Sequence, residues 1–234
     1  MELNPEHPGT YLRGLEPVSF CDWPGKVTSV LFFGTCNLRC PTCHNRDLVL
    51  RPEELPLIPW QRLLETLSKR RHWLDGLVLS GGEPTCVPGV DSLLSELSPL
   101  GLPLKLDSNG LRPDLLADLL ERAIVQYAAV DIKGPPAKYP ELTGGRCSRE
   151  EAEESLDRIF ALAARHPNRF QFRCTKVPAL TDDDMDMVQS MPPEGYRIAW
   201  QEYIPPSRRS DDASGAAGAG VTEAAEQAVT RPSR

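Results

Sequence analysis

Short apolar runs alternate along the chain with segments whose large apolar residues recur every three or four positions, the pattern of parallel strands joined by crossover helices. Residues 27–33 read as the first strand, rich in β-branched and aromatic side chains and closed by Gly34. Pro59 suits a first helical turn, and Trp60, Leu63, Leu64 and Leu67 follow at helical spacing. Residues 77–79 form a second strand, followed by Ser80-Gly81-Gly82-Glu83-Pro84 and a helix carrying Val90, Leu93, Leu94 and Leu97. A third strand, 102–106, leads into Asp107-Ser108-Asn109-Gly110 and a helix opened by Pro113, with Leu115, Leu116, Leu119 and Leu120 inward. The fourth strand, 127–130, ends in Asp131-Ile132-Lys133-Gly134. Ser148 and Glu151 then make a capping-box pattern ahead of Leu156, Ile159, Phe160 and Ala163. Residues 170–177 and 196–203 supply two more strands around an acidic helix start at 181–184.

Six strand-helix units imply an α/β fold, a partial (β/α)6 open-sided TIM-like barrel, because eight units and about 250 residues close a full one. An open sheet is the alternative. Residues 1–26 are expected to pack on the barrel as an N-terminal extension, with the barrel over 27–206. Residues 207–234 are mostly Ser, Ala, Gly, Arg, Asp and Glu, too poor in apolar surface to offset ordering entropy, so a disordered tail or a frayed helix near 222–229 is expected.

Composition changes this picture little: 40% hydrophobic and 25% charged residues are ordinary for a globular chain. The formal charge of −7 offers no broad attraction for a phosphate backbone, which argues against nucleic acid. The start lacks a basic and apolar leader, and no apolar run approaches the ~20 residues that span a bilayer; a cytoplasmic protein with no membrane association is expected. The seven cysteines are an odd count, and three of them, Cys36, Cys40 and Cys43, fall on one short loop after the first strand. Such clustering favours metal over disulfides.

Cys36-Asn-Leu-Arg-Cys40-Pro-Thr-Cys43 supplies three thiolates, enough to tie down three irons of a cubane and leave the fourth open to a ligand that is not protein. A structural zinc site usually takes four ligands, and His44, adjacent to Cys43, is badly placed as the fourth. Zinc, and three inert buried thiols, stand as the plainer readings. Gly81-Gly82 after a strand is ordinarily a tight turn, and it is also how backbone approaches a ligand closely. Asp107-Ser108-Asn109-Gly110 reads as an Asx-type turn, and Asp131-Ile132-Lys133 as a surface ion pair, when each is taken alone. All these motifs nevertheless follow strands, on the rim where α/β barrels place their active sites.

CxxxCxxC directly after the first strand resembles the signature of the radical S-adenosylmethionine superfamily. The stretch from Gly14 to Lys26 and Cys43-His44-Asn45 resemble the activating enzymes of glycyl-radical enzymes, above all the branch serving anaerobic ribonucleoside-triphosphate reductase. The resemblance implies one 4Fe-4S cluster on Cys36, Cys40 and Cys43, and S-adenosylmethionine chelated to the unique iron. One electron from a flavodoxin- or ferredoxin-type donor then gives a 5′-deoxyadenosyl radical, which takes a glycine Cα hydrogen from a partner glycyl-radical enzyme. A radical enzyme acting on a small molecule or peptide, and a non-catalytic metal-bearing interaction module, are the alternatives.

Carried onto this sequence, Gly81, Gly82 and Glu83 match the element that receives the cofactor's ammonium group. Asp107 and Ser108 match one that can hold a monovalent cation near its carboxylate. Asp131 and Lys133 match an element at the cofactor and substrate edge, Arg173 an arginine near the cluster, and His44 and Asn45 residues flanking the cofactor. On this basis Lys133 and Arg173 join the cysteines as expected catalytic residues. Thr42 stands where the family usually has an aromatic residue packing on the adenine. Cys21, Cys86 and Cys174 are expected to be buried apolar fillers, and Cys147 to be exposed.

Overall fold

The computed structural model describes residues 7–205; the expected tail lies outside them. Seven strands form one sheet: β1 (Leu12–Ser19), β2 (Thr28–Phe33), β3 (Gly76–Gly81), β4 (Leu104–Ser108), β5 (Tyr127–Asp131), β6 (Phe170–Lys176) and β7 (Ile198–Glu202). The helices are α1 (Arg46–Leu50), α2 (Trp60–Arg70), α3 (Val90–Leu97), α4 (Pro113–Glu121), α5 (Tyr139–Leu142), α6 (Arg149–Arg165) and α7 (Asp182–Ser190).

The spatial order equals the chain order, β1 through β7, with β2 to β7 parallel. A doubly wound sheet would reverse its order at a switch point. Here each crossover steps to the next neighbour, which puts the helices on one face and leaves the other as a barrel interior. Strands β1 and β7 are the edges, so the barrel is open.

Strand β1, within the segment expected only to pack on the barrel, pairs antiparallel with β2. Gly14 and Pro17 hide it from the sequence pattern, and an edge position is where a strand tolerates proline. Helices α1 and α5 are also additions, of five and four residues, too short to show a period. The two acidic helix starts hold: Ser148 with Glu151 and Thr181 with Asp184 form complete capping boxes at α6 and α7.

Alternation along the strands sorts their side chains. Leu31, Phe33, Leu77, Leu79, Leu106, Val130 and Phe172 join Leu63, Leu67, Leu93, Leu116 and Ile159 of the helices in the main core. The opposite face begins at a small separate cluster, Trp23, Val30 and Val78, with Phe32 and Tyr127 against it. Register puts Val30 beside Val78, Val78 beside Lys105 and Lys105 beside Tyr127. Further along the same face come Ser80, Asp107, Asp131 and Arg173. The barrel therefore has a dry base, plugged by Trp23, and a polar upper level.

Candidate active site

A cleft of about 190 Å³ opens at the C-terminal ends of the strands. Cys36, Cys40, Thr42, Cys43, His44 and Asn45 form one wall, and Gly81, Gly82, Glu83, Asp107, Ser108, Asp131 and Lys133 face them. Ser80, Asn109, Thr175 and Gln201, which the sequence reading left without a role, also line it. Arg173 does not; it lies beneath the cleft, bonded to two of the lining carboxylates.

The cysteine loop is held by its neighbours. Gly82 N–H donates to Phe33 O at 2.8 Å and Glu83 N–H to Thr35 O at 2.5 Å, while Asn45 Nδ2 donates to Gly81 O at 2.6 Å. The segment after β5 braces the other side, where Arg39 N–H donates to Thr143 O at 3.1 Å. His44 Nε2 lies 2.7 Å from Ile204 O, and its ring stacks on Tyr203 at 5.9 Å. His44 and Asn45 thus fix the loop as well as lining the cleft.

The two glycines are explained differently from the sequence expectation. A Cβ on Gly81, whose φ is +106°, would lie 2.5 Å from Phe33 N, and one on Gly82 would lie 2.0 Å from Thr35 O. Both glycines let β3 and its following loop press against the stem of the cysteine loop, so protein backbone already demands them.

Glu83 is fully buried. Its Oε1 accepts from Thr85 N, Thr85 Oγ1 and Ser108 Oγ at 3.2, 2.5 and 3.0 Å, and Oε2 accepts from Asn109 N at 2.6 Å. Burial pushes its carboxyl up, against the pull of these donors. Acceptor capacity remains on Oε2 for one further donor, and Glu83 is among the residues that line the cleft.

Five charged side chains follow along the interior. Lys105 Nζ is 2.5 Å from Asp107 Oδ1; Asp107 Oδ2 meets Arg173 Nη1 at 3.3 Å; Arg173 Nε meets Asp131 Oδ1 at 2.8 Å; Asp131 Oδ2 lies 3.5 Å from Lys133 Nζ. Burial alone would raise the Asp131 carboxyl, but Arg173 and Lys133 more than offset it and hold it down at about 2. Burial disfavours the Lys133 cation, and Asp131, Cys40 and Cys43 outweigh it, leaving the ammonium held charged above its usual range. Lysine 105 was not singled out from the sequence. Its signal is the i, i+2 pairing with Asp107 in a strand that alternates them with leucines, which puts both on the same face.

Burial pushes the Cys36 thiol up to about 12 and raises that of Cys43, so iron must displace their protons. Among the described residues no three His, Cys, Asp or Glu side chains converge on a single ion. Thiolates bound to separate irons of a cubane do not have to converge, and three half-buried thiols beside the Lys133 cation fit a 4Fe-4S cluster. Of the other cysteines, Cys174 is buried as expected and Cys86 half-buried, while two expectations reverse. Cys147 is buried in the main core ahead of α6, and Cys21 is exposed beyond the end of β1.

A model of the radical SAM superfamily matches residues 30–191. The "Putative glycyl-radical enzyme activating enzyme MJ1227" of Methanocaldococcus jannaschii is 29% identical over 176 residues, 74% of this chain and 71% of that one. The pyruvate formate-lyase-activating enzyme of Clostridium pasteurianum is 25% identical over 178 residues, 73% of this chain and 70% of that one. Among solved structures, Streptococcus suis SuiB bound to S-adenosylmethionine superposes with a TM-score of 0.55 at 15% identity, over 73% of this chain and 39% of SuiB. The chain thus spans about two-fifths of SuiB's length, and that likeness shows the fold. Among the described residues no helix is long and apolar enough to cross a membrane.

Proposed function

The chain belongs to the radical SAM superfamily, and from that membership we propose that it activates a glycyl-radical enzyme, with anaerobic ribonucleoside-triphosphate reductase as its partner. When bound, the reduced cluster and S-adenosylmethionine supply a 5′-deoxyadenosyl radical, with a flavodoxin- or ferredoxin-type protein as electron source. Cys36, Cys40 and Cys43 would hold three irons, leaving the fourth for the cofactor's amino and carboxylate groups.

The chain's own residues orient what is bound. Glu83 keeps acceptor capacity for an N–H of the cofactor's amino group, and the loop of Gly81 and Gly82, pinned by Asn45, keeps the Glu83 carboxylate near Cys36. Lys133 places positive charge next to Cys40 and Cys43. Thr42 and His44 stand at the rim, where the adenosine would lie.

The observation that carries a protein substrate is the reach of the cleft to the open edge of the barrel. Gln201, an exposed residue of the edge strand β7, lines it. Among the described residues no further strand flanks β7 on that side, so a polypeptide segment approaching there would meet the contact of His44 with Tyr203 and Ile204, while the base behind is the apolar cluster of Trp23, Val30 and Val78. Likeness over nearly three-quarters of both chains to a protein named as an activating enzyme supports the same reading.

The test is anaerobic incubation of the reduced, reconstituted protein with S-adenosylmethionine and the reductase. A glycyl doublet in electron paramagnetic resonance is expected. Cofactor cleavage with no doublet on the reductase or on other glycyl-radical enzymes would remove the activase reading and leave the family intact.

A further inference from the structure

Asp107 is where the expected cofactor set meets a misfit. A monovalent cation bound there and at Ser108 needs oxygens turned toward it. Both oxygens of Asp107 already meet a cation: Oδ1 meets Lys105 Nζ at 2.5 Å, and Oδ2 meets Arg173 Nη1 at 3.3 Å beside Ser80 Oγ at 3.1 Å. The Ser108 hydroxyl donates to Glu83 Oε1 at 3.0 Å and accepts from Gly110 N–H at 3.1 Å, so it serves the Glu83 loop. Lys105 is 0% exposed, and its ammonium also donates to Asp22 O at 2.7 Å.

Along this interior face Lys105, Arg173 and Lys133 set three cations against Asp107 and Asp131. A further monovalent cation at Asp107 would sit against the Lys105 ammonium and the Arg173 guanidinium that already bind its two oxygens, in a setting where burial strengthens the repulsion. An isolated buried lysine is costly, and Lys105 is tolerable because Asp107 and the Asp22 carbonyl satisfy it.

We propose, on the strength of the cofactor site that family membership implies and whichever substrate it serves, that Lys105 is a built-in replacement for that monovalent cation. Lys105 is a positioning residue. Anchored beneath by the segment that plugs the barrel, it holds Asp107 in place at the cofactor end and makes the site indifferent to the alkali ion in solution.

The test compares potassium, sodium, lithium and choline chlorides at constant ionic strength. It reads thermal unfolding of the full reconstituted chain and, by calorimetry, its affinity for S-adenosylmethionine. For the wild type both should agree across the salts, with Kd within twofold. In Lys105→Met the bared Asp107 should become a cation site. Its melting temperature then rises saturably with potassium or sodium, as mass action requires, and its S-adenosylmethionine affinity is tenfold or more tighter than in choline. The double variant Lys105→Met/Asp107→Asn should recover stability over the single one and lose the cation response.

Saturable, ion-specific stabilisation of the wild type, or a tenfold cation effect on its affinity, overturns the proposal. So does a folded Lys105→Met that ignores the cation. A double variant no more stable than the single one also overturns it, because Lys105 would then serve packing alone. None of these readings depends on turnover, so they stand apart from the activase test.

Discussion

Gly82 and Thr35 are packed so closely that any side chain at residue 82 would strike the Thr35 carbonyl, 2.0 Å from where a Cβ would sit. Thr35 immediately precedes Cys36, the first cysteine of the loop, and accepts the Glu83 N–H. One contact therefore registers the loop after β3 against the loop after β2.

Gly82→Ala should therefore act on the fold as well as on the cofactor. The methyl group meets backbone, which cannot rotate away, and overpacking of this kind costs about 1–3 kcal/mol. A fall of several degrees in melting temperature is expected, together with weaker iron retention. A variant as stable as the wild type that has lost only S-adenosylmethionine affinity would return the glycine to a purely ligand-facing role.

Alanine at Cys36, Cys40 or Cys43 should abolish cluster assembly while leaving the barrel folded, since the strands and helices form most of the main core and the loop's own core residue, Leu38, is untouched. Iron and acid-labile sulfide, measured after anaerobic reconstitution, should fall to background with the far-ultraviolet circular dichroism unchanged. A variant with full iron content would contradict the ligand assignment for that cysteine.

Arg173 and Lys133 hold Asp131 at about 2 against its burial. In the wild type that carboxylate contributes stability that is present above its unfolded value of about 3.9 and lost only as pH falls from there toward 2. Arg173→Met leaves the half-buried Asp131 with Lys133 as its remaining ion-pair partner, so its folded value should rise. The variant's deficit, on the order of 3 kcal/mol at pH 7, should then narrow as pH falls toward 4, because the folded state now takes up the proton first. Urea midpoints between pH 7 and pH 4 read this, and a gap independent of pH would sink the account of Asp131.

Ser148→Ala removes the side-chain cap of α6, the longest of the described helices, at a residue that does not line the cleft. A loss of about 1 kcal/mol is expected, seen as a shift of roughly 2–4 °C, with cofactor affinity unchanged. Loss of affinity along with stability would show that α6 supports the cleft more directly than its position suggests.

Most of the parallel strands and the longer helices were legible in the chain because burial imposes a period on each, and the capping residues marked two helix starts. The cysteine spacing and the motifs after β3, β4 and β5 were legible for a related reason: close coordination and turns restrict which residues fit. Strand β1 was not, since its edge position needs no strong alternation, and Pro17 and Gly14 obscure what there is.

What the sequence by itself determined is therefore local: which segments alternate, where they cap, and which loop carries three thiols. Tertiary structure alone decided that Gly82 answers to Thr35, that Asn45 and His44 are tied to Gly81 and Ile204, and that Arg173 reaches two carboxylates from below. It alone paired Lys105 with the carbonyl of Asp22, 83 positions away. The physical reason is that period and propensity act between neighbours in the chain. Charge, hydrogen bonding and steric exclusion act between neighbours in space, and only the closing of the sheet into a partial barrel makes those the same residues.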